Sequence, residues 1–181
     1  VYSLHIGGDG AADRLVAGVR DLWEAIRAVR RARPQPAAVS AGRASAPGRI
    51  DSRAIERIVE RRTETQDGVV KVTISRDGLL RMTKITATMG LATWAAFSGS
   101  DRMAVMDGEI ILTADEVSPV LRALRAAGIH VVALHNHMIG EQPTCYFAHF
   151  RGSGEAERLA KAFVAALTAQ KNASKPGNVR P

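Results

Sequence analysis

The chain has 181 residues, 46% hydrophobic and 4% aromatic, with a formal charge of +7; that gives room for one domain with a real core, or one domain plus a fragment of another. The charge comes from 20 Arg against 5 Lys in an Ala-rich chain, a surplus that G/C-rich codons account for, and no aromatic residues interleave with the Arg as specific nucleic-acid binding would require. The single Cys145 excludes an intrachain disulfide, a CxxC site and a zinc ribbon, and no apolar stretch reaches the roughly 20 residues that span a membrane.

Taken from its start, the chain opens at Val1 in what reads as the middle of a strand, and residues 2–15, YSLHIGGDGAADRL, line up without gaps on residues 146–159, YFAHFRGSGEAERL. Tyr2 matches Tyr146, His5 matches His149, Gly8 and Gly10 match Gly152 and Gly154, and Leu15 matches Leu159. Both copies predict a strand, a glycine turn and a helix, with Asp9 and Ser153 as equivalent N-cap candidates. Leu15, Val19, Leu22, Ile26 and Val29 recur at helical spacing beside Trp23 in the first helix, as do Leu159, Phe163 and Leu167 in the second. Residues 1–32 therefore read as the last strand and helix of a truncated first repeat, with the rest of that repeat upstream. Residues 33–49, RPQPAAVSAGRASAPGR, contain three Pro and no periodicity and predict a flexible linker. Residues 50–170 form one complete domain, and residues 171–181 a disordered-like tail.

That domain opens with a short helix, for which Asp51 is the N-cap candidate and Ile50 and Ile55 a hydrophobic staple. Strands are predicted at Val69–Ile74, Leu79–Thr86, Ala92–Phe97, Arg102–Met106 and Glu109–Leu112, with Asp107-Gly108 as a tight hairpin. Thr113 and Glu116 offer a capping box before a helix entered at Ser118-Pro119 and stopped at Gly128. The apolar run from Ile129 to Leu134 leads straight into His135, and Thr144–Phe150 forms a strand able to pair with it. The fold class is α+β, a mostly antiparallel sheet with a few packed helices.

Three of the five histidines fall in VVALHNHMIGEQPTCYFAHF, residues 131–150. On a strand, residues i and i+2 share a face about 7 Å apart, so His135 and His137 can grip one ion, and His149 supplies a third imidazole from the neighbouring strand. Three His and a water make an open zinc site; nickel, copper or iron suit the same ligands. The competing reading is of exposed histidines at a loop edge. Glu141, four residues beyond His137, is the acid/base candidate, against an ordinary exposed loop glutamate. Glu109 and Glu116 are poorer candidates, the latter because capping explains it. Trp94 either lines a substrate pocket or fills the core, Arg151 either meets an anionic substrate or is a surface residue, and Cys145 reads as a small buried apolar residue rather than a ligand. His130 reads as a satisfied or edge histidine.

The stretches TWAAFSGSDRMAVMDGEIILTADEVSPVLRALRAAGI, ALHNHMIGEQP and YFAHFRGSGEAERL together resemble the LppY/LpqO family, bacterial exported proteins and lipoproteins built from two copies of a domain of unknown function. The resemblance covers residues 50–170, and VYSLHIGGDGAADRLVAGV resembles the end of that family's first repeat. It implies an exported or periplasmic location, with the cytoplasm as the alternative. More distantly, H-x-H followed by a third His resembles the zinc pattern of acetolactate decarboxylase and the H-x-H motifs of the plant and prokaryote conserved domain. That resemblance implies an acetolactate-decarboxylase-like fold with ligands at His135, His137 and His149; here Phe147-Ala148 replaces the glycine pair before the third His. The expected function is a metal-dependent, zinc-type enzyme decarboxylating or hydrolysing a small anionic oxygenated substrate. The alternative is a non-catalytic metal-binding envelope module. The expected macromolecular partner is an upstream repeat fragment or a second copy of the chain.

Overall fold

The computed structural model of the protein describes residues 6, 8–32, 48–76, 78–80, 83–86, 90–137 and 139–174. The strand expected around His5, most of the expected linker (residues 33–47) and the end of the expected tail (residues 175–181) lie outside the described residues. The chain divides into two compact units, residues 1–44 and 45–181. In the first, α1 (Ala12–Ala32) is an amphipathic helix whose Leu15, Val19, Trp23 and Val29 are exposed.

The second unit runs α2 (Ser52–Val59), β1 (Thr63–Gln66), β2 (Val69–Ser75), β3 (Gly78–Leu80), β4 (Thr83–Ile85), β5 (Ala92–Gly99), β6 (Ala104–Leu112), α3 (Ala114–Ala126), β7 (His130–His135), β8 (Glu141–Gln142), β9 (Tyr146–Gly154) and α4 (Ala156–Ala173). Six strands form one antiparallel sheet in the order β1-β2-β5-β6-β9-β7, and β4-β3-β8 form a small second sheet. This is the α+β, antiparallel architecture that the strand pattern predicts. Among the described residues no helix is long and apolar enough to cross a membrane.

Alternation along the strands gives the large sheet two different faces. One carries Val70, Val72, Ala95, Phe97, Met106, Ile110, Leu112, Ala148 and Phe150, all buried in a single cluster with Ile55, Leu124, Leu159 and Phe163 from α2, α3 and α4. Burying each of these large side chains contributes roughly 1.5–3 kcal/mol, which is why the helices collect on this side. The helices start where side chains satisfy their free amides. Asp51 accepts from the Arg53 amide at 2.9 Å, and Thr113 with Glu116 forms a capping box. The other face carries a smaller buried cluster of Leu91, Ile111, Cys145 and Phe147, and beside it the histidines.

Several local expectations are corrected. Asp107-Gly108 is no hairpin: β6 runs through it without a break. Gly108 is there because the Phe150 ring lies across it, so that a Cβ would sit 2.1 Å from Phe150 Cζ, and Asp107 instead faces Arg151 across the ladder. The segment expected as one strand from Leu79 is a short hairpin of β3 and β4. Helix α3 begins at Ala114 and contains Pro119, because the capping box fixes its start ahead of the Ser118-Pro119 entry. Ser153 remains in β9 and gives its carbonyl to Arg158 at 2.7 Å, so the N-cap position of α4 falls to Glu155. Helix α4 continues to Ala173, past the boundary expected at residue 170.

Candidate metal centre

Glu109 on β6 and His149 on β9 are directly paired across the ladder, and pairing places both on the open face of the sheet. His135 closes the edge strand β7, where it pairs with Phe147. Strand parity alone would not bring it there. Val131 pairs with Phe150, but Ala133 pairs with His149, so two residues of β7 span one of β9. This bulge reverses the alternation, and His135 emerges on the face of His149 instead of the core face. His137 follows two residues later, its ring stacked on Phe147 at a centroid separation of 3.3 Å and 5°.

Four ligand atoms converge. His149 Nε2 lies 2.9 Å from His135 Nε2 and 2.9 Å from Glu109 Oε2; His137 Nε2 lies 3.6 Å from the same oxygen. All four groups offer donor atoms within 4.8 Å of one another. A zinc ion bonded at about 2.0–2.1 Å to tetrahedral ligands separates them by about 3.4 Å, and 2.9 and 3.6 Å lie either side of that value. Imidazole nitrogens and one carboxylate oxygen also form the donor set that first-row divalent ions prefer. The residues present therefore fit a metal ion.

The surroundings orient these donors. His135 Nδ1 lies 3.2 Å from the Asn136 carbonyl; a carbonyl only accepts, so Nδ1 carries the hydrogen and Nε2 presents a lone pair to the cluster. The Asn136 amide in turn donates to the Cys145 carbonyl at 2.9 Å, which ties the loop after β7 to the start of β9. The Glu109 carboxyl is raised above its ordinary value by burial, against the opposing effects of His135, a hydrogen bond from Trp94 and the charge of Lys71. Burial is uneven: the side chains of Glu109 and His137 are 8% and 4% exposed, that of His149 30%. The cluster is thus walled on one side and open at His149.

The three histidines predicted as ligands come together, and Glu109 joins them. Glu141 is not among the converging groups. It sits in β8 opposite Leu80, is 5% exposed rather than a solvent-facing loop residue, and its Oε1 accepts from the Cys145 amide at 3.2 Å. Trp94 pairs with Glu109 across β5 and β6, on the open face and not in the main core. Arg151 lies on that face with its Nε 3.7 Å from Asp107 Oδ1. Cys145 is buried, and burial pushes its thiol up, in keeping with a small packing residue. His130 is exposed on the edge strand, opposite Arg151. Glu109, a poorer acid/base candidate by sequence, is not expected in the cluster because no local motif joins it to the histidines; the one signal is a carboxylate heading the apolar run Ile110-Ile111-Leu112, where a buried charge demands a partner.

Fold and cluster together define an α+β protein with a candidate centre of three His and one Glu on the open face of an antiparallel sheet. A family model described as Domain of Unknown Function (DUF1259) matches residues 53–169, and the chain belongs to that family. The matched segment contains all four residues of the cluster. No curated protein and no solved structure matches the chain.

Proposed function

We propose that the protein is a metal-dependent enzyme that decarboxylates or hydrolyses a small anionic, oxygenated substrate, with zinc as the resident ion. The observation that carries this reading is the convergence of His135, His137, His149 and Glu109 at a point still open at the His149 side. An ion held there supplies Lewis acidity toward a carbonyl or a water. His135, His137 and His149 are assigned as ligands. Proton handling, expected of Glu141, is reassigned to Glu109, because its Oε2 faces two of the imidazoles while Glu141 holds the Cys145 amide. Trp94 and Arg151 border the site as substrate-contacting residues. The distant resemblance to acetolactate decarboxylase supports decarboxylation, and the LppY/LpqO resemblance supports an exported protein.

A second reading has its own support. If Glu109 binds the ion as a fourth protein ligand, the tetrahedron is closed and the centre is structural, as in a metal-binding envelope module. Metal analysis of the purified chain, followed by a screen of carboxylate and ester substrates, separates the two. Turnover by the zinc-loaded chain that is lost in Glu109→Gln with zinc retained supports the enzyme. Stoichiometric zinc with no turnover of any substrate supports the module. A chain that takes up no divalent ion rules out both.

A further inference from the structure

The open face continues beyond the cluster. Across the sheet, Thr73, Trp94, Glu109 and His149 form one row of paired residues, and Lys71 lies one step along on the same face of β2, opposite Ala96. Lys71 Nζ sits 5.0 Å from the centroid of the Trp94 ring, and Trp94 is the cross-strand partner of Glu109. Among the described residues, no carboxylate lies within ion-pair distance of Lys71. Arg151, the other cation on this face, already has Asp107 beside it. A lysine charge is therefore held by an aromatic ring next to the candidate centre, with Glu64 as its cross-strand neighbour on β1 but no acid among the described residues close enough to form an ion pair.

We propose that Lys71, seated over Trp94, recognises the far carboxylate of a short dicarboxylate whose near carboxylate oxygen is taken at the metal centre. This deepens the proposed function and rests on it. The size of the ligand follows from sheet geometry. Lys71 is two strands across and two residues along from Glu109, a Cα separation of about 12 Å at ordinary strand spacing and rise. The lysine stem covers about half of that, which leaves a span suited to an acid of roughly three or four carbons. Ala96, between Lys71 and Asp107 in the paired row, has too short a side chain to obstruct the path. A strongly hydrated, mobile ammonium suits a flexible carboxylate better than it suits a fixed ion pair within the protein.

The test uses the full chain loaded with cobalt(II), whose visible absorption reports ligand entry at the ion without requiring turnover. Succinate is titrated as the dianion and acetate as the control that reaches the metal alone. In the unaltered chain succinate is expected to bind more tightly than acetate. Lys71→Met is expected to weaken succinate about tenfold, the loss of one charge-assisted contact, with acetate unchanged; Lys71→Arg is expected to recover most of the loss. Equal succinate affinity in Lys71→Met and the unaltered chain, or no spectral response to succinate in a fully cobalt-loaded chain, overturns the proposal while leaving the metal centre intact. Failure to bind cobalt at all overturns the metal reading itself, and the cobalt count distinguishes the two failures.

Discussion

Glu109 Oε2 stands 2.9 Å from His149 Nε2 across one rung of the β6–β9 ladder. The backbone pairing of the sheet thus sets the separation of these two donors before any metal is involved. Glu109→Gln keeps the shape and removes the charge. If Glu109 handles protons, zinc stoichiometry measured by plasma emission is expected to persist while turnover falls by about 10²-fold or more. Loss of zinc in the same variant identifies Glu109 as a ligand instead.

His135→Ala and His149→Ala are each expected to abolish stoichiometric divalent-ion binding, read by calorimetric titration. His5→Ala should leave it intact, because His5 is the sequence counterpart of His149 and has no H-x-H pair within its own segment. Retention of full binding in His135→Ala would show that the imidazoles converge for packing alone.

The Glu116 carboxylate is almost fully buried and ties three elements together. Arg76 donates to it at 2.7 and 3.0 Å, Gln170 at 2.9 Å, and the Thr113 amide at 2.9 Å, with Ser174 as a further donor. Burial pushes its carboxyl up, but these hydrogen bonds outweigh burial and hold it down at about 2, below the ordinary 4.5. A depressed folded-state value stabilises the fold above the unfolded value, and the contribution is lost as pH falls toward the folded one. The contribution is about 3 kcal/mol, full above pH 4.5 and lost progressively toward pH 2. Glu116→Gln should flatten the pH dependence of urea unfolding across this window; an unchanged acid limb would count against the network.

Gly108→Ala tests the packing of the core face of the sheet. An added Cβ meets Phe150 Cζ at 2.1 Å and the Trp94 carbonyl at 2.6 Å, and the ring is fixed between sheet and helices. A loss of about 1–3 kcal/mol is expected from thermal or urea unfolding, the usual cost of overpacking. A neutral result would mean that Phe150 has room to turn.

We further propose that α1 is the repeat counterpart of α4 and that its apolar stripe seats on a copy of the sheet fold. The 144-residue offset between residues 2–15 and 146–159 matches exposed Leu15 and Val19 to Leu159 and Phe163, both buried in the main core. Gly10 and Gly154 adopt similar positive φ, 144° and 140°, which supports the same turn in both copies. Val19→Asp is expected to release the copy, whether a co-purifying fragment seen by intact mass or a second chain seen by light scattering. An unchanged assembly would sink the pairing.

The sequence by itself determined the sheet-and-helix composition, because alternation in VVKVTI and ATWAAF and the 3.6-residue stripe after Ser153 are local properties of the chain. It also determined the two caps whose chemistry is confined to a few neighbouring residues, Asp51 and the Thr113–Glu116 box. The three histidine ligand candidates were legible for the same reason, from spacing within one hairpin-sized segment. Tertiary structure alone decided the rest. Gly108 looked like a turn because its obstacle, Phe150, lies more than forty residues away in sequence but directly opposite in space. Glu109 became part of the centre only through ladder register, a long-range pairing with no sequence motif. The β7 bulge between Val131 and Ala133, which turns His135 from the core face to the open one, depends on how an edge strand meets its neighbour. Spacing could nominate the ligands, but only strand register and that one extra residue could aim them at a common point.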